Sequence, residues 1–95
     1  MAFVLIEHQV GDYETFKSVY LDDADRRKRF GSLGGHVYRV SEDPQNVVIL
    51  LEWDTLERAR DFATSLELHQ AMEWSTSNVA TPRVLVLEHA MDSPV

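Results

Sequence analysis

Val47-Val48-Ile49-Leu50-Leu51-Glu52-Trp53 is a run of strand formers with no polar residue in its first five positions. A strand with one wet face alternates apolar and polar side chains. This one is apolar on both sides. Phe3 to Ile6, near the start, and Val84 to Leu87, near the end, break the alternation in the same way. A sheet built from these three runs has two greasy faces.

Working outward from that run gives the order of elements. Upstream, Asp43-Pro44-Gln45-Asn46 has turn chemistry, and Leu33 to Glu42 reads as a partner strand, so the two form a hairpin. Downstream, Asp54-Thr55-Leu56-Glu57 has the form of a capping box and opens a helix to about Thr64. Ser65 is positioned to cap a further helical stretch, Leu66 to Thr76, and 77–82 reads as a loop. Residues 2–9 form the first strand, and Arg83 to His89 the last. Between the first strand and the hairpin, Asp12 is a good N-cap. Tyr13, Phe16, Tyr20 and Ala24 then recur at three- and four-residue spacing, predicting one helix from Tyr13 to Phe30 that Gly31 stops. The sum is β-α-β-β-α-β, a ferredoxin-like α+β fold of one domain over residues 1–95: a four-stranded antiparallel sheet with its helices on one face.

Those helices cover only one side. The other side exposes Val48, Leu50 and the matching residues of the outer runs, and an apolar patch of that extent rarely stays in water. Burying about 600 Å² per subunit at about 25 cal/mol per Å² is worth about 15 kcal/mol before association costs. A second copy packed sheet to sheet is the simplest cover, which predicts a homodimer through the open face.

Composition narrows the partners. The 95 residues are 44% hydrophobic and 26% charged, as in ordinary globular proteins, and contain no cysteine, which excludes thiol nucleophiles and cysteine-ligated metals. The formal charge of −7 disfavours nucleic acid. The one basic run, Arg26-Arg27-Lys28-Arg29, follows Asp22, Asp23 and Asp25 at helical pairing distance. It reads either as cations at a helix C-terminus or as an anion site. No segment reaches the roughly 18 apolar residues of a membrane span, and Met1 to Glu7 lacks the features of a signal peptide, so the expected location is the cytoplasm. His8, His36, His69 and His89 do not share ligand spacing on one element, so no metal is expected.

Gly34-Gly35-His36-Val37-Tyr38-Arg39, Asp43-Pro44, Val47 to Asp54, Leu56-Glu57 and Ala59-Arg60, together with Asp12-Tyr13 and Gly31, resemble small bacterial proteins of the dimeric α/β-barrel superfamily. These are the antibiotic-biosynthesis monooxygenase-like or cyclase-like proteins. The resemblance implies a pocket between helices and sheet in each subunit, lined by a tryptophan at the end of the third strand, which Trp53 matches. It implies oxidation of activated phenols without a cofactor, the deprotonated substrate itself passing an electron to oxygen. In the haem-degrading branch a histidine ligates iron on the later helix. Ungapped from Trp53 that position is Met72, and the nearest histidine is His69, so no haem is expected.

The candidate catalytic residues are His69, a base if it faces inward, and Tyr20, whose hydroxyl on the buried stripe needs either a structural partner or a substrate oxygen. Trp53, Phe16, Met72, Arg39 and His36 are the candidate substrate-binding residues, with core packing or ion pairing as the alternative for each. His36 and Tyr38 share one face of their strand, Val37 and Arg39 the other. The competing function is a non-catalytic ligand-binding or stress-associated dimer.

Overall fold

The computed structural model describes residues 1–65 and 83–95. Four strands, β1 (Ala2–Gln9), β2 (Ser32–Val40), β3 (Asp43–Trp53) and β4 (Arg83–Glu88), form one antiparallel sheet in the order β2-β3-β1-β4. The helices are α1 (Tyr13–Asp22), α2 (Ala24–Phe30) and α3 (Leu56–Ala63). The order and pairing are those of the ferredoxin-like α+β fold anticipated above. No helix among the described residues is long and apolar enough to cross a membrane.

The register sorts side chains into two faces. Ala2, Val4, Ile6 and His8 of β1 alternate into the core with Val47, Ile49, Leu51 and Trp53 of β3, and all eight are buried. Phe16, Ala59 and Phe62 close over them from α1 and α3. On the other face the pairs stack into three four-stranded rows. Leu87, Phe3, Glu52 and Gly34 make one; Leu85, Leu5, Leu50 and His36 the next; Arg83, Glu7, Val48 and Tyr38 the last. Nothing among the described residues buries this second face. Phe3, Leu5, Val48 and Leu50 are half-buried by their neighbours alone, and Tyr38 and Leu85 are exposed.

Local structure departs from the sequence expectation in four places. The predicted single helix from Tyr13 to Phe30 is two, because Asp23 adopts φ −89°, ψ 3° and serves as C-cap of α1 and N-cap of α2. The break moves the acidic run off a helix interior: Asp25 falls in the first turn of a new helix, where the dipole favours a carboxylate. Asp43 to Asn46 do not form the turn but begin β3. The hairpin closes at Ser41 and Glu42, and Pro44 sits beyond the end of β1's pairing, where its missing N–H costs little. The cap of α3 is Thr55 rather than Asp54. Its hydroxyl accepts from the Arg58 N–H at 3.1 Å, and Asp54 instead pairs with the Arg58 guanidinium at 3.0 Å. The last strand ends at Glu88, one residue short of the expected His89.

Two expected stops are present. Asp12 caps α1 by accepting from the Thr15 N–H at 3.1 Å, and Gly31 ends α2 in the left-handed region at φ 114°. The predicted helix Leu66 to Thr76 and loop 77–82 lie outside the described residues.

Candidate functional site

A cavity of about 440 Å³ opens between α1, α2 and the sheet beside the edge strand β2. Leu51 forms its floor, Tyr20 and Ala24 one wall, and Leu33 with Gly34 and Gly35 the other. Arg27, Lys28 and Ser32 supply the polar groups. Two facts of the sequence create it. Gly35 presents no side chain in the row of Leu51, and an added Cβ there would lie 2.1 Å from the Leu50 carbonyl oxygen. The Asp23 break then swings α2 to bring Arg27 and Lys28 over the edge of the sheet.

Tyr20 is half-buried. Its ring stacks on Phe16 at 5.7 Å between centroids, and its hydroxyl has no hydrogen-bond partner among the described residues. Burial raises its pKa and the nearby Arg27 charge offsets this in part, so the phenol is a neutral donor at physiological pH. The Arg27 guanidinium lies over the Tyr20 ring, 3.7 Å from its centroid. Burial lowers the Arg27 pKa, with Tyr20 and Asp23 opposing, and an arginine remains a cation regardless.

The remaining sequence candidates do not all converge. Phe16 supports Tyr20 from behind. Trp53 is fully buried at the end of β3, with its ring 4.6 Å from Phe62 and its indole N–H without an acceptor among the described residues. It packs in the core and does not line this cavity. Arg39 stands at the far end of β2. There it donates to the Pro44 carbonyl at 2.8 Å and lies 4.1 Å over the Tyr13 ring, a carbonyl and a ring in place of the expected carboxylate. His36 projects from the opposite sheet face into a second hollow of about 330 Å³ with Phe3, Leu50 and Glu52. Neither of these two cavities is lined by both His36 and Tyr20. His69 and Met72 lie outside the described residues.

Two residues outside the candidate catalytic and substrate-binding sets gain importance in the structure. Arg27 belonged to a basic run read either as dipole-complementing or as an anion site, and it meets Tyr20 across the break between α1 and α2, which spacing along one helix does not report. His8 falls in step with Ala2, Val4 and Ile6 and is therefore buried, 1% exposed, with both ring nitrogens unpartnered among the described residues. Its ring meets Phe16 edge-on at 6.3 Å, and burial lowers its pKa, so it is neutral.

No protein-family profile matches the chain, and no curated protein sequence does. Solved structures do. A Bordetella bronchiseptica protein assigned as an antibiotic biosynthesis monooxygenase superposes with a TM-score of 0.76 at 18% identity, over 95% of this chain and 97% of its own. A Deinococcus radiodurans protein with the same assignment gives 0.71 at 15% identity, over 100% and 98%. SnoaB from Streptomyces nogalater, a cofactor-independent oxygenase, gives 0.72 at 16% identity, over 99% and 96%. The chain therefore has the ferredoxin-like α+β fold of the antibiotic biosynthesis monooxygenase proteins over essentially its whole length.

Proposed function

We propose that the chain is a homodimeric, cofactor-independent oxygenase of small aromatic molecules, working in the cavity beside Tyr20. The observation that supports this best is the cavity itself: an apolar floor, a neutral phenol with an uncommitted hydroxyl, and cations on one wall. An activated ring methylene or phenol gives up a proton, and the resulting anion passes one electron to O₂. The two radicals combine to a peroxide, which takes up a proton and loses water to leave a carbonyl. The balance is CH₂ plus O₂ to C=O plus H₂O, with no external reductant. The chain's tasks are to exclude water, orient the ring and handle protons. Tyr20 donates to the oxygen on which charge develops, and His69 is the proposed base.

The dimer follows from the open face. Six apolar side chains across its three rows, Phe3, Leu5, Val48, Leu50, Leu85 and Leu87, lack cover among the described residues. A second copy of the same face, sheet on sheet, supplies it. The same packing would enclose the hollow that holds His36 and Glu52.

The test is oxygen uptake with a panel of polycyclic phenols. Tyr20→Phe is expected to lower turnover about a hundredfold, the usual cost of one oxyanion donor, and His69→Ala to lower it by about as much or more. No uptake on any substrate, or unchanged turnover in both variants, removes the mechanism. Ligand binding without uptake would leave a sequestering dimer.

A further inference from the structure

The geometry points to a carboxylate-reading group within this cavity: Arg27 is placed to grip the acid of an aromatic carboxylic acid through its guanidinium fork. The inference rests on the cavity being the substrate site and narrows what enters it. Arg27 is only 8% exposed, yet it lines the cavity. A guanidinium has five N–H donors and no other way to satisfy them than acceptors. Among the described residues it has none within hydrogen-bond distance. Asp23 is the nearest carboxylate, but one of its oxygens is held by Arg26, whose Nε donates at 2.6 Å. The other lies 4.0 Å from the Arg27 Nη1. Stacking on Tyr20 fixes the plane of the guanidinium without using any of its N–H groups.

A buried cation without acceptors is costly, and a bidentate carboxylate is the partner its geometry matches best. The surroundings agree. Lys28 adds a second positive charge, and no aspartate or glutamate is among the lining residues. The whole chain carries a formal −7, so the average field repels an anion and the attraction must be local to this cluster. Leu33, Leu51, Ala24 and the Tyr20 ring offer apolar contact to the remainder of the ligand. An aromatic acid satisfies both halves of the cavity, whereas a small inorganic anion satisfies one.

Calorimetric titration of the full chain with 2-naphthoate and with 2-naphthamide at pH 7 tests this directly. The two probes match in shape and differ in charge. The acid is expected to bind about ten- to a hundredfold more tightly, as for a charge-assisted hydrogen-bonded pair. Arg27→Gln is expected to abolish that preference. Arg27→Lys, which keeps a point charge and loses the fork, should retain a part of it. Arg29→Gln, outside the cavity, should leave it intact. Thermal melts check that each variant folds, and Arg27→Lys serves if Arg27→Gln does not. Equal affinity for acid and amide, absence of binding for both, or a preference that survives loss of Arg27 would overturn the assignment. Acid-selective binding without oxygen uptake would sustain it and dispose of the oxygenase reading, so the two fail separately.

Discussion

Leu50→Asp probes the assembly at its centre. Leu50 occupies the middle row of the open face, between Leu5 and His36, and is half-buried within one chain. In an isologous dimer it occurs twice, so one substitution places two carboxylates in the interface. Arginine would be a poor choice, because Glu52 lies two residues along on the same face and would pair with it. Aspartate finds Glu52 as a like charge instead. Breaking into a buried surface with an unpaired charge costs about 3 kcal/mol or more per site. Two sites cost about 6 kcal/mol, which raises the dissociation constant by about four powers of ten. A nanomolar dimer would then dissociate at micromolar protein. Sedimentation equilibrium or light scattering should give about twice 10.9 kDa for the parent and 10.9 kDa for the variant. Far-UV circular dichroism should stay native-like, since the side chain lies outside the core of its own chain. Leu50→Thr, polar but uncharged and a good strand former, should weaken association much less. A parent with the mass of one chain, or a folded Leu50→Asp with the mass of two, would refute the argument.

Gly35→Ala should destabilise the chain by about 2 kcal/mol or more in urea unfolding, because the new Cβ would meet the Leu50 carbonyl oxygen at 2.1 Å and force β2 away from β3. A loss below about 0.5 kcal/mol would mean that the edge strand yields freely. His8 predicts a pH dependence. Its folded pKa lies below the ordinary 6.5, so the unfolded chain takes up a proton first. The contribution to stability is therefore full above pH 6.5 and falls as pH drops toward the folded value, with a slope of at most about 1.4 kcal/mol per pH unit from this group. The difference in unfolding free energy between the parent and His8→Leu, followed from pH 7.5 to 5, isolates that slope; a constant difference would show that His8 titrates alike in both states.

Much of the fold was legible in the chain because it rests on local, periodic signals. Strand-forming runs, the Asp12 cap and the Gly31 stop each act within a few residues; the cap and the stop fall where expected, and each run falls on a strand whose ends differ from the expected ones by at most four residues. The failures were also local. Asp23 ends α1 because a cluster of carboxylates is poorly placed inside a helix and well placed at the start of one. Periodicity of the apolar stripe carries no trace of that preference. Pro44 looked like a turn, but whether a strand tolerates proline depends on whether its neighbour reaches that far, and β1 does not.

The candidate site was less legible. Tyr20 and Phe16 could be placed on one helix stripe from spacing alone, and their rings do stack, with Tyr20 on the cavity wall and Phe16 in the core behind it. Trp53 was placed in a pocket by the resemblance and His36 beside it as a substrate-binding candidate, but alternation names a face of the sheet and not the space above it. Trp53 proves to be core, and His36 proves to be on the far side.

By itself the amino-acid order determined that this chain forms a sheet apolar on both surfaces, with too few helical residues to cover more than one. Hydrophobic periodicity is a property of neighbours along the chain, so it survives without coordinates. Only the tertiary structure decided which polar groups face one another. Arg27 comes over Tyr20, and His8 loses its water, through the register of strands and the break between two helices. Those are sums of many weak contacts between residues far apart in sequence, and no single stretch of the chain encodes them.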